Sequence, residues 1–168
     1  MNTPDTSTSP EIPLLELTEA LQAFHKEDTL TSRAAVIVSL TISTVTVILD
    51  KPWDGKSLPE PDTRFMLVSD GENVEQPMLA LFSNQTTAEN FRRSLDIGGQ
   101  FEHIVEVSGS WSLLGVEDGM GVMIDPNQPT GFRIAPELAA QLRNDVEATM
   151  ARVSARYDQD KGPDTGDE

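Results

Sequence analysis

The chain has 168 residues, with 12 basic and 28 acidic side chains and a formal charge of −16. Binding a polyanion depends on Lys and Arg displacing counterions, so DNA, RNA and anionic membrane surfaces are excluded as expected partners, and a more basic protein is favoured. The absence of cysteine removes disulfides, thiolate metal sites and thiol catalysis, and fits a reducing, cytoplasmic setting.

Aromatic residues make up 5 % of the chain and apolar residues 38 %, so Leu, Val, Ile and Met must build the core of a single domain. Residues 1–11 are rich in Thr, Ser, Pro and acid and read as a disordered leader, without the basic and apolar pattern of a secretory signal. Residues 158–168 read as a disordered acidic tail. The leader carries −2 and the tail −4, which leaves −10 on the domain expected at 12–157.

In chain order, Pro13 is suited to open a helix, and Leu14, Leu17, Leu21 and Phe24 supply one apolar stripe. A second helix is expected from Thr29–Thr31, with Leu30, Ala34 and Ile37 inward. The period then changes to two at Val45, Val47 and Leu49, which predicts a strand. The uncharged run from Ala34 to Leu49 is sixteen residues long, short of the ~20 needed to span a bilayer. Three prolines and a glycine make Lys51–Asp62 a loop. Strands follow at Arg64–Val68 and Pro77–Phe82, joined through Asp70-Gly71 as a hairpin.

A third helix is expected after Ser83, with Thr86 and Glu89 at capping-box spacing and Ala88, Phe91 and Leu95 inward. Glu102–Val107 reads as a strand, Ser110–Val116 as a short helix or turn, and Gly121–Ile124 as a strand stopped by Asp125-Pro126-Asn127. Phe132–Ile134 is a last short strand. Pro136 opens the longest helix, with Leu138, Leu142, Val146 and Val153 on one side.

No reactive constellation is spelled out. His25 and His103 lie in different elements, and His103 and its neighbour Glu102 point to opposite faces of a strand. Gly109-Ser110-Trp111-Ser112-Leu113 places Trp where a nucleophile elbow needs Ser. Gly119-Met120-Gly121 reads as a turn, because no Walker or dinucleotide fingerprint accompanies it. Asp158-x-Asp160-x-Gly162 has the start of a calcium loop without the remaining ligands. No cofactor or metal is therefore expected. Trp111 is read as core. Trp53, in the proline-rich loop, either folds back over the core or meets a partner. Together with the acidic turns Asp70, Glu72, Glu117 and Asp118, it forms the candidate partner-binding set.

Met78-Leu79-Ala80-Leu81-Phe82-Ser83 followed by Ala88-Glu89-Asn90-Phe91 resembles the strand-to-helix junction of the SseB N-terminal-type domain family. Gly121-Val122-Met123-Ile124-Asp125-Pro126-Asn127 is similar to that family's glycine–hydrophobic–Asn-Pro turn, with Asp125 in place of the usual Asn. Ile134-Ala135-Pro136-Glu137 matches its continuation into a helix. The resemblance spans roughly 14–150 and implies an α+β fold without established catalytic residues. Taken with the element order, it predicts a mixed, largely antiparallel sheet of about five to six strands flanked by helices, with a long C-terminal helix.

Three functions stand open at this level. One is a non-enzymatic, accessory or immunity-like protein-interaction module with a basic partner, for which homo-oligomers are also compatible. The second is a hydrolase or small-molecule binder using ionisable groups among Asp70, Glu72, Glu102, His103, Asp118 and Asp125. The third is a secretion-linked assembly component.

Overall fold

The computed structural model describes residues 11–70, 73–97 and 99–160. Its elements run α1 (Leu17–Lys26), α2 (Leu30–Ile42), β1 (Thr44–Leu49), β2 (Leu67–Asp70), β3 (Asn73–Leu81), α3 (Gln85–Ser94), β4 (His103–Ser108), α4 (Gly109–Leu113), β5 (Gly121–Ile124), β6 (Phe132–Ile134) and α5 (Pro136–Asp160). This is an α+β fold with a long C-terminal helix. The expected disordered leader lies outside the described residues except for Glu11. α5 continues three residues past the expected start of the tail, and residues 161–168 lie outside the described residues.

The strands divide into two sheets rather than one, a β1–β4 pair and a four-stranded sheet of order β2-β3-β5-β6. Among the described residues only the β3–β5 pairing is parallel. Hydrogen bonds stitch the sheets together: Thr46 exchanges both backbone bonds with Phe82 at 2.9 Å, and Met66 N–H donates to the Ile48 carbonyl at 2.8 Å. The predicted hairpin forms as β2 and β3, with a register shift between Ser69 and Asp70.

Alternation along β1 sorts its side chains onto two cores. Val45, Val47 and Leu49 join a large cluster with Leu17 and Leu21 of α1, Val36 and Leu40 of α2, Leu79, Leu81, Val122, Ile124 and Ile134 of the sheet, and Ala139 of α5. Ile48 joins a smaller cluster with Met66, Ala80 and Phe82, covered by Ala88 and Phe91 of α3. Phe82 and Phe91 meet at 5.2 Å between ring centroids.

Thr46 is fully buried, and its hydroxyl has no hydrogen-bond partner. A desolvated hydroxyl without a partner costs about 1–3 kcal/mol. Thr46→Val keeps the branched shape and removes the orphan, so it should stabilise the fold by about 1 kcal/mol in urea denaturation. A lower midpoint for the valine variant would show that the hydroxyl is satisfied.

Tertiary bonds moved several element boundaries. α1 starts at Leu17, four residues after Pro13, because the Leu15 carbonyl accepts from Ser39 Oγ at 2.7 Å instead of serving a helical N–H. Leu14 is consequently 76 % exposed. The same bond turns α2 about its axis: Ala35, Val36, Ser39 and Leu40 are buried, and Leu30, expected inward, is 87 % exposed. α3 is capped by Asn84, whose side chain accepts from Thr87 N–H at 2.9 Å, and not by the expected Thr86–Glu89 box. On α5, Leu142 and Val146 pack on the core, while Leu138 and Val153 stay exposed.

Candidate functional site

The loop after β1 builds one wall of the site. Asp54 Oδ1 accepts from the backbone N–H groups of Lys56 and Ser57 at 2.9 and 3.1 Å and from the Ser57 hydroxyl at 3.0 Å. Asn and Asp side chains commonly nucleate such turns. These bonds, led by the one from Lys56, hold the Asp54 carboxyl below its ordinary value. Gly55 sits at the tip with φ +70°, where a Cβ would stand 2.7 Å from the Glu106 carbonyl oxygen of β4. The position therefore requires glycine both for its left-handed backbone and for the close approach.

The far end of the loop is tied down by charge. Asp50 bonds the Arg64 guanidinium at 2.7 Å and its N–H at 2.8 Å, which lowers the carboxyl pKa. Lys51 pairs with Asp62 and lies 4.0 Å from Glu60; its bond also lowers the Asp62 pKa. These pairs are exposed and fix the loop path more than they stabilise the fold.

Pinned in this way, the loop lays Trp53 on the main core. Its indole Nε1 donates to the Ser57 carbonyl at 2.8 Å, and its ring meets Phe65 edge-on at 6.1 Å. Trp53 also lines a cleft of about 350 Å³ with Phe65, Trp111, Leu58, Glu60 and Glu117. A second hollow, of about 410 Å³, shares Phe65, Pro61 and Glu117 and extends to Asp62 and Phe101. Both hollows are lined by aromatic rings and carboxylates, and the second also by Arg64, whose guanidinium stands 6.0 Å over the Phe101 ring. The Glu117 carboxylate forms no ion pair among the described residues.

Of the candidate partner-binding residues, Trp53 and Glu117 meet in this cleft. Asp118 is next in the chain, but its carboxylate accepts from Arg143 of α5 at 2.8 Å, which raises the arginine's pKa. Asp70 ends β2, and Glu72 lies outside the described residues. Three contributors were missed in the sequence: Phe65, Glu60 and Trp111. Trp111 is not core. It is half-buried on α4, with one side in the cleft and the other in a separate apolar groove. Its position two residues after Gly109, at the start of a short helix, was the available signal.

Of the ionisable groups considered for hydrolysis, Glu102, His103, Asp118 and Asp125 sit in separate local arrangements. Glu102 pairs with Arg92 at 3.4 Å, His103 lies opposite Leu49 in the β1–β4 ladder, and Asp118 pairs with Arg143. Asp125 is buried, and its Oδ1 accepts from Ser83 N–H at 2.8 Å. Among the described residues, no group of three or more His, Asp or Glu could hold a metal ion, and no helix is long and apolar enough to cross a membrane. No family model, curated protein or solved structure matches the chain.

Proposed function

We propose that the chain is a non-enzymatic, cytoplasmic protein-interaction module that holds a more basic partner through the cleft between Trp53 and Trp111. The observation carrying this reading is the junction of three aromatic rings with Glu60 and Glu117 in one cleft. An arginine or lysine side chain from the partner would lay its aliphatic stem on the rings and present its charge to Glu117. Cation–π contacts contribute about 0.5–2 kcal/mol, depending on desolvation. The −16 charge of the chain adds long-range attraction, which salt screens. The resemblance to SseB-type domains, which lack established catalytic residues, supports the same reading.

The test uses tryptophan fluorescence, because both indoles line the cleft. Titration with short peptides containing Arg and Leu should change the emission in a saturable way, weakening as salt is raised. Trp53→Ala and Glu117→Lys should each weaken binding about tenfold or more. Peptide-independent emission at low salt, or binding that survives Glu117→Lys, would refute the proposal.

A further inference from the structure

α5 runs 25 residues, roughly 37 Å at 1.5 Å per residue, and only its first half has something to pack on. Ala139 is fully buried, and Leu142 and Val146 lie against the core. Every residue from Glu147 to Tyr157 is exposed. Polar sequence would be expected along a stretch standing in water, yet the inward stripe continues. Val146, Met150, Val153 and Tyr157 follow one another at 4-3-4 spacing, the seam spacing of paired helices. Met150 is 38 %, Val153 50 % and Tyr157 70 % exposed. Beside the stripe, a groove of about 490 Å³ between α2, α4 and α5 is lined by Ile37, Val38, Trp111, Leu142, Val146 and Met150, with Asp145 at its edge.

We infer that a second copy of this chain covers the outer half of α5, the two helices running antiparallel. The charges select this occupant. At 100° per residue, Asp145, Arg152 and Arg156 fall on one flank of the stripe. A two-fold axis across an antiparallel pair brings that flank against the same flank of the other copy. Stacking Val146 on Tyr157 and Met150 on Val153 of the second helix then sets Asp145 of each copy within arginine reach of Arg156 of the other. The pair is made twice. In a parallel pair the same flanks lie on opposite sides of the seam, so Asp145 of one copy does not meet Arg156 of the other, and a partner of uniform charge would meet repulsion at one end of the flank. The stripe is continuous with the groove, so the end of each α5 reaches over the groove of the other.

The proposal is independent of the cleft, and Trp111, which lines both surfaces, is left intact in the test. Sedimentation equilibrium of the full chain, from about 1 to about 200 μM at physiological ionic strength, should show a monomer–dimer equilibrium. Val153→Glu changes a residue already half exposed in the monomer. It should weaken association about tenfold or more with circular dichroism unchanged. Asp145→Arg should also weaken association, and adding Arg156→Asp to it should restore dimers. A chain monomeric across the whole range overturns the proposal. So does a dimer indifferent to Val153→Glu, or an Asp145→Arg/Arg156→Asp variant no better than Asp145→Arg alone.

Discussion

Gly109→Ala should be the most damaging single methyl addition among the described residues, lowering stability by about 3 kcal/mol or more and the melting temperature by roughly 10 °C. Gly109 stands where β4 turns into α4 and crosses the end of α2. Its N–H donates to the Ser43 carbonyl at 2.9 Å, and the neighbouring Ser110 hydroxyl donates to the Thr41 carbonyl at 2.6 Å. A Cβ at this position would lie 1.7 Å from the Leu40 carbonyl oxygen and 2.8 Å from its carbon. Both obstacles are backbone, so no side-chain rotation relieves them, and the crossing itself must open. Because β1 follows α2 directly and pairs along its whole length with β4, opening the crossing strains the ladder that carries the inner strand. Urea denaturation of Gly109→Ala should show a lower midpoint with little change in slope. Ser110→Ala, which loses one hydrogen bond, should cost about 1 kcal/mol. Equal costs for the two variants would contradict the close approach.

The second large effect is expected at Asp125, the residue that follows β5. Its backbone has φ 49°, a left-handed conformation that Asn and Asp tolerate and alanine disfavours. Its carboxylate is buried at the junction of β5 and the start of α3, accepting from Ser83 N–H. Asp125→Ala leaves that N–H without its acceptor and strains the turn, for an expected loss of about 2–3 kcal/mol. Asp125→Asn keeps an oxygen for Ser83 and suits the turn.

Comparing Asp125→Asn with the unaltered chain gives a pH signature of known sign. Burial raises the Asp125 pKa above its ordinary 3.8, against the opposing effect of the Ser83 hydrogen bonds. Between 3.8 and the raised value the folded state holds a proton that the unfolded state has released, so stability falls as pH rises through this window. The contribution is intact below the unfolded value and lost above the folded one. Asn does not titrate. The variant should therefore gain on the unaltered chain as pH rises from 3.8 through the raised pKa, and the difference should be constant beyond it. The acids with depressed values, Asp28, Asp50, Asp54 and Asp62, act in the opposite sense and are common to both chains, so they cancel in the difference. A lead that shrinks with rising pH would mean that hydrogen bonding, and not burial, governs this carboxyl.

Local pattern located most elements. β5 at Gly121–Ile124, β6 at Phe132–Ile134 and the start of α5 at Pro136 stand where periodicity and the flanking turn residues place them. The change of period into β1 was equally legible, and the hairpin was legible with shifted bounds, β2 running Leu67–Asp70 and β3 Asn73–Leu81 where Arg64–Val68 and Pro77–Phe82 were expected. The candidate site was legible only in part. Trp53 and Glu117 stood out as a lone indole in a proline-rich loop and an acidic turn, but nothing local joins them.

The amino-acid sequence alone determined the strong negative charge, the lack of thiol chemistry and the succession of helices and strands, because each depends on composition or on neighbours a few residues apart. The tertiary structure decided which face of α2 is inward, where α1 begins, how the strands divide between two sheets, and that residues 53, 65, 111 and 117 share one cleft. Those outcomes turn on bonds between distant segments: Ser39 to Leu15, Thr46 to Phe82, Trp53 against Phe65. A helical period specifies a stripe but not the surface that will cover it, so burial is settled only when the partner element arrives.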